Sequence, residues 1–409
     1  MKSNRPYEQV TVTAKGQTAL AGGHPWVYDG EVTGLSGAVT DGDLVDVVGP
    51  KGTYLGTGFF NSHSRIRVRV LSRNANDRFD EAFWRRRIQY AWDYRKTVMG
   101  PDDSRCCRII FGEADQFPGL TVDRFENVLV AQVLSLGMER IKPLLFQLLA
   151  EVLRGDGQDI AGIYERNDVA IRGLEGMEQN KGWYPLPGEA VPDFTSVDIT
   201  ENGIVYTVDF ENGQKTGFFL DQKYNRRAVA KIAAGHTVLD CFTHTGSFAL
   251  NAARGGAIHV TAVDVSEYAV GCARENACRN GLDSVMDCVC ANVFDLLPRL
   301  AEEPSKYDFI ILDPPAFTKS RKATENAMRG YKEINYRAMK LLPRGGYLAT
   351  CSCSHFATEE LFVKMLRSAA KDAGVQLRQI EARQQCADHP ILWGVDETNY
   401  LKFFLFQVV

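Results

Sequence analysis

Thr237-Val238-Leu239-Asp240-Cys241-Phe242-Thr243-His244-Thr245-Gly246 decides the fold. An apolar strand ends on an acid, and a loop of small and polar residues then opens a helix near 247–254. Outward from it, strands and helices alternate from about residue 204. Strands are expected at His259-Val260-Thr261-Ala262-Val263-Asp264, at Asp287 to Val293, at Phe309 to Asp313 and at Gly346-Tyr347-Leu348-Ala349-Thr350-Cys351. Helices are expected at 266–280, 324–342 and 358–373, with closing strands near 375–382 and 400–408. This alternation predicts a parallel, doubly wound α/β sheet. Ligands of such sheets bind at the carboxyl ends of the strands.

Those ends carry polar residues. Asp264 follows Asp240 by 24 residues and closes the second strand, where a carboxylate can accept from both hydroxyls of a ribose. The third end reads Ala291-Asn292-Val293-Phe294-Asp295, and the fourth Ile311-Leu312-Asp313-Pro314-Pro315. A nicotinamide dinucleotide would need a G-x-G-x-x-G cradle for its pyrophosphate, and only Gly246 lies in the loop. Each motif alone could be a loop cap or a turn. Together, in register, they resemble the class I S-adenosylmethionine-dependent methyltransferases.

Further stretches narrow the resemblance. They are Gln214-Lys215-Thr216-Gly217-Phe218-Phe219-Leu220-Asp221-Gln222 with Asn225-Arg226, and Phe111-Gly112-Glu113-Ala114-Asp115 with Pro118-Gly119-Leu120-Thr121-Val122-Asp123-Arg124. Glu165-Arg166-Asn167-Asp168, Gly345-Gly346-Tyr347-Leu348 and Cys351-Ser352-Cys353-Ser354-His355 complete the set. Over essentially the whole chain they resemble the RlmI family of bacterial 23S rRNA large-subunit methyltransferases. The resemblance implies an α/β fold, with a Rossmann-like class I methyltransferase domain (196–409) preceded by a small β-barrel PUA RNA-binding domain (1–75) and a central α+β domain of EEHEE type (76–195). It implies S-adenosyl-L-methionine as cofactor, 23S ribosomal RNA as partner and a cytoplasmic enzyme; a homodimer stays open. It places Phe219 and Asp221 over the methionine end, with Arg226 holding the local carboxylates. Asp240, Phe242 and Gly246 would border the methionine moiety, Asp264 would hold the ribose, and Asn292 would meet the adenine amino group. The family commonly has Asp at that last position and an aromatic where this chain has His244. An amide oxygen still accepts a hydrogen bond, so Asn292 is compatible with the role.

Carbon-5 of cytosine is not nucleophilic, so methylation there needs a thiolate to add at C6. Cys351 and Cys353 end the fifth strand, facing the expected cleft. RNA cytosine-5 methyltransferases carry Thr-Cys-Ser in this region, and alignment on Gly345-Gly346 favours Cys353 as nucleophile over Cys351. Asp313 would hold the amino and N3 edge of the base. A thiol of ordinary pKa near ~8.5 needs nearby positive charge or a helix terminus to ionise. Ala316 stands where those enzymes often have a second cysteine. Two alternatives remain: guanine-N7 methylation, which needs no thiolate, and a noncatalytic RNA-binding assembly factor.

Residues 1 to about 75 read as short strands between glycines, the grammar of a small barrel. Arg65-Ile66-Arg67-Val68-Arg69-Val70 alternates, so Arg65, Arg67 and Arg69 share one face. That face is either simply solvated or a phosphate-contacting stripe. A helix is expected at 78–97. A strand-strand-helix-strand-strand segment follows, its last strand at Asp168-Val169-Ala170-Ile171-Arg172, and then a connector over 173–193.

The 409 residues are 45% apolar and 24% charged, with a net charge of -4. This excludes a disordered chain and a uniformly basic coat protein. The charge is nonetheless uneven. Residues 65–105 hold eleven basic against six acidic side chains, and residues 316–345 eight against two. Lys319, Arg321 and Lys322 directly follow the DPP motif and are expected on an RNA path. No signal peptide or membrane span is expected and no CxxC pair occurs, so the ten cysteines are expected as free thiols without metal.

Overall fold

The computed structural model describes residues 5–302, 306–318 and 323–409. Two compact units divide the chain. The first comprises residues 1–199, 207–220 and 387–398, and the second 200–206, 221–386 and 399–409.

In the first unit a six-stranded sheet takes the order Trp26–Tyr28, Ile66–Ser72, Tyr54–Phe60, Leu44–Val48, Glu8–Val12, Val32–Leu35. It wraps a core of valines, among them Val10, Val12, Val45, Val47 and Val68. A short helix, Ala14–Ala21, starts where the Thr13 side chain accepts from Gly16 N. A five-stranded sheet follows, in the order Lys181–Tyr184, Gly162–Arg166, Val128–Val133, Leu120–Phe125, Cys106–Phe111. Helices Glu81–Val98 and Leu136–Gly155 pack on each other beside it. Asp80 caps the first by accepting from Phe83 N at 3.0 Å, which fixes its start three residues later than the apolar spacing suggests.

Elements of this unit differ from expectation. Residues 168–172 are not a strand, and Ala170–Glu175 is a 3-10 helix. Arg172 is buried there, donating to Glu178 O and to Val133 O. Buried main-chain acceptors thus recruit a side chain that alternation alone would place in a strand. The final strand, Lys181–Tyr184, lies in the stretch read as connector.

The second unit holds a seven-stranded sheet. Its strands are β1 (Thr237–Cys241), β2 (His259–Asp264), β3 (Met286–Cys290), β4 (Phe309–Leu312), β5 (Tyr347–Ser352), β6 (Leu377–Arg383) and β7 (Lys402–Val408). The spatial order is β3-β2-β1-β4-β5-β7-β6. β1 to β5 are parallel, and β7 is antiparallel to both neighbours. Phe309-Ile310-Ile311-Leu312 is wholly buried, as a central strand covered on both faces requires. Register aligns Cys241 with Leu312 and Leu312 with Thr350. Residues 242, 313 and 351 therefore emerge together at one end of the sheet. No helix among the described residues is long and apolar enough to cross a membrane.

Candidate active site at the carboxyl ends of the strands

The loop after β1 is held in an unusual backbone. Phe242, His244 and Gly246 have φ of 66°, 52° and 86°. Non-glycine residues rarely adopt the left-handed region, and such departures concentrate at functional sites. The loop is fixed from below. Thr243 N donates to Val263 O at 2.8 Å, His244 N to Asp264 Oδ2 at 2.9 Å, and Gly246 N to Thr243 O at 2.9 Å. A Cβ on Gly246 would stand 3.1 Å from Ala273 Cβ, so glycine is needed for space as well as for φ.

Asp264 closes β2. Its Oδ1 accepts from Ser266 N at 3.0 Å, so each oxygen takes one main-chain donor and keeps a lone pair. Asn292 is exposed at the start of helix Val293–Leu300, and its Oδ1 accepts from Phe294 N at 3.0 Å. The Phe294 ring lies 5.8 Å from that of Phe317.

Asp240 is fully buried. Its Oδ2 accepts from Thr243 Oγ1 at 2.6 Å and from Ala249 N at 2.9 Å, while Oδ1 has no partner among the described residues. Burial, with Asp313 and Asp264 near it, pushes its carboxyl up to about 8. Asp313 accepts from Gln222 Nε2 at 3.0 Å, and burial beside Asp221 pushes it up to about 7. Asp221 is buried and accepts from Tyr400 OH at 2.6 Å. Three carboxylates thus converge at one end of β1 and β4. Such a set suits a ligand that carries positive charge, since a bound cation removes their mutual repulsion.

Arg226 is expected to hold these carboxylates. Two of its nitrogens meet both oxygens of Glu201 at 2.6 and 2.9 Å, with both side chains essentially inaccessible. Asp221 still acts on Arg226 electrostatically. Phe219 belongs to the first unit, where Lys215 Nζ lies 5.1 Å from its ring centre.

The two cysteines part company. Cys351 lies inside β5 with no exposure, and burial, with Asp313 near it, raises its thiol well above the ordinary value. Cys353, two residues on, is past the strand and partly exposed. β7 runs antiparallel to β5 with Lys402 opposite Ser352. Lys402 is buried, and its ammonium donates to Ser354 O at 2.6 Å and Tyr400 O at 2.8 Å. Burial lowers it to about 8, against an upward pull from Cys353.

Sequence reasoning missed Glu201, Gln222, Tyr400 and Lys402. The last left a signal: one lysine in the apolar run Leu401-Lys402-Phe403-Phe404-Leu405-Phe406. Of the arginine stripe, Arg65 is exposed and Arg67 donates to Asn61 O and Ser62 O. Arg69 pairs with Glu113 at 3.4 Å and Glu175 at 2.9 Å. Lys319, Arg321 and Lys322 lie outside the described residues. All ten cysteines are free, and the described residues contain no cluster able to hold a metal ion.

Comparison with known proteins agrees with this geometry. A family model for S-adenosylmethionine-dependent methyltransferases matches residues 183–407, and one for a PUA-like domain matches 10–73. The chain is 40% identical over 400 residues to ribosomal RNA large subunit methyltransferase I of Klebsiella pneumoniae (strain 342), covering 97% of this chain and 98% of that one. It is 39% identical to the protein of the same name in Escherichia coli (strain SMS-3-5 / SECEC), over 97% and 99%. Among solved structures, a methyltransferase complexed with SAH superposes with a TM-score of 0.82 at 22% identity, over 98% and 99% of the two chains, which shows the shared fold.

Proposed function

The chain belongs to the ribosomal RNA large subunit methyltransferase I family of S-adenosylmethionine-dependent enzymes, and we propose that it methylates carbon-5 of a cytosine in 23S ribosomal RNA through a covalent adduct on Cys353. When bound, S-adenosylmethionine supplies an electrophilic methyl group on a sulfonium. The convergence of Asp221, Asp240 and Asp313 at the ends of β1 and β4, with one buried oxygen of Asp240 lacking a partner among the described residues, fits that positively charged group. Asp221 and Asp240 favour its cationic end. Asp264 keeps lone pairs that would take the ribose hydroxyls, and Asn292, next to Phe294, would meet the adenine amino group.

The observation that carries the cytosine reading is the contrast between the two cysteines. Cys351 is sealed in the strand, against Asp313, in surroundings that disfavour a thiolate. Cys353 is accessible and within electrostatic reach of the buried ammonium of Lys402. A cation beside a thiol favours the thiolate, and the thiolate is the nucleophile. The thiolate pair of Cys353 forms the S–C6 bond, and the π pair of the C5–C6 double bond passes to C5, which then takes the methyl group. Loss of the C5 proton to a base re-forms the C5–C6 double bond and expels the thiolate. Asp313 would hold the amino and N3 edge of the base, its carboxylate accepting from the exocyclic amine. Arg65 and the basic stretch Lys319, Arg321 and Lys322 would meet RNA phosphates. A cytoplasmic enzyme follows from that substrate.

Guanine-N7 methylation is the second reading, and it needs neither Cys353 nor Lys402. The test is nucleoside analysis by mass spectrometry of large-subunit RNA methylated in vitro. The expected product is 5-methylcytidine, with Cys353→Ala reducing it about 10^3-fold or more. A 7-methylguanosine product, unchanged in Cys353→Ala, would reject the covalent route.

A further inference from the structure

The first unit contains a groove that the methyl-transfer site does not use. Two adjoining hollows, of about 540 and 410 Å3, share Gln116. The segment 387–398 borders both, through Pro390 on one and Leu392 on the other. Trp393, next in the chain after Leu392, is 95% exposed. A tryptophan left so open in a folded unit is unusual, because its apolar ring stays hydrated without compensation.

Helix Glu81–Val98 supplies one wall. Arg86, Tyr90 and Tyr94 recur every four residues, which puts them on one face at steps of about 6 Å. All three are exposed, Tyr90 by 63%. Arg73 is exposed at the rim of the second hollow. Among the described residues neither Arg73 nor Arg86 makes an ion pair.

The nearby acids are engaged internally. Asp115 binds the buried Arg95, Glu113 meets Arg69 and Trp26, and Asp77 accepts from Ser72 Oγ and Asn74 Nδ2. The groove therefore presents exposed aromatic rings, unneutralised guanidinium groups and the amides of Asn74 and Gln116. Aromatic faces stack bases without regard to sequence, and guanidinium groups contact the phosphates between them. A protein partner would need carboxylates to match the arginines. An RNA duplex hides its base faces.

We propose that this groove binds a single-stranded segment of the RNA substrate, with Tyr90 and Trp393 as stacking platforms and Arg73 and Arg86 on the backbone. The inference rests on the RNA reading above and adds a second contact region, away from the cofactor site.

Titration of the full chain with a fluorescein-labelled, mixed-sequence oligoribonucleotide of about 12 nucleotides tests it. The same strand annealed to its complement serves as the duplex probe. Wild type binds the single strand more tightly than the duplex. Tyr90→Ala with Trp393→Ala weakens single-strand binding about tenfold or more, and Trp393→Phe costs less than Trp393→Ala. Arg73→Gln with Arg86→Gln lowers the slope of log affinity against log salt by about 1.4. Calorimetric S-adenosylmethionine binding stays unchanged in every variant, which shows that each is folded. Unaltered single-strand affinity in the aromatic double variant overturns the assignment. So does a self-association of the wild type that Trp393→Ala abolishes, since the face would then meet a second copy of the chain. Wild-type protein that binds S-adenosylmethionine but neither RNA probe overturns the RNA reading itself.

Discussion

Asp240 and Asp313 are held up at about 8 and about 7 by burial and by their neighbouring carboxylates. A bound cation reverses that balance and draws both toward the ionised form. Cofactor binding must then release protons near neutral pH. Affinity for S-adenosylmethionine is expected to rise as pH goes from 6 to 8, because the free protein loses by itself the protons that binding would expel. Calorimetry at pH 7 in phosphate and in Tris checks this: the binding heat should differ between the two buffers, and equal heats would contradict it. Lys402 acts in the opposite sense on Cys353. Its ammonium favours the thiolate, so Lys402→Met raises the thiol pKa and moves the acidic limb of the kcat/KM profile upward by about one pH unit, while Lys402→Arg moves it less. An unmoved limb in Lys402→Met would detach the lysine from the cysteine. The acids were legible because each ends a strand of a recognisable motif. Lys402 was not, because its importance comes from β7 lying next to β5, a pairing between segments about 50 residues apart.

At the scale of elements, the parallel strands were plain in the sequence. Buried strands show as short apolar runs, and the helices between them keep a regular alternation. Two elements of the first unit were obscured. Helix Ala14–Ala21 is only eight residues long with Gly16 inside it, too short for periodicity to speak. Strand Lys181–Tyr184 has Gly182 at a φ of 145° and lies within a stretch, 173–193, rich in Gly, Pro and polar residues, so composition reads it as a connector. The Arg226–Glu201 pair shows how an element can matter to the site without touching the chemistry. It ties helix Lys223–Ile232, which follows Asp221 and Gln222, to Glu201 at the end of strand Ser196–Glu201. Removing one partner leaves a buried charge alone, and Arg226→Ala is expected to cost about 3–5 kcal/mol. Urea denaturation would measure it, and a loss well under 1 kcal/mol would mean that water reaches the pair.

For the whole molecule, the net charge of -4 hides a distribution that counting along the chain only half describes. The excess in residues 65–105 is largely answered by acids outside that window. Arg69 meets Glu113 and Glu175, Arg95 meets Asp115, Lys96 meets Asp156, and Arg105 meets Glu126. A window of sequence cannot see such partners, so it overstates the charge offered to RNA. What remains there is a smaller set, with Arg65, Arg73, Arg78 and Arg86 exposed. A sparse set of cations positions a backbone, and specificity must then come from contacts to the bases and from the chemistry at Cys353. The most direct measurement is to trap that chemistry. Large-subunit RNA carrying 5-fluorocytosine has no removable C5 proton, so an enzyme that adds to C6 and transfers a methyl group stays attached to it. Wild-type protein with S-adenosylmethionine is predicted to give a complex that survives denaturing electrophoresis, with the modified peptide containing Cys353, and Cys353→Ala should give none. A wild-type enzyme that methylates ordinary RNA yet forms no such complex, or forms it equally well without Cys353, would contradict the covalent cytosine mechanism.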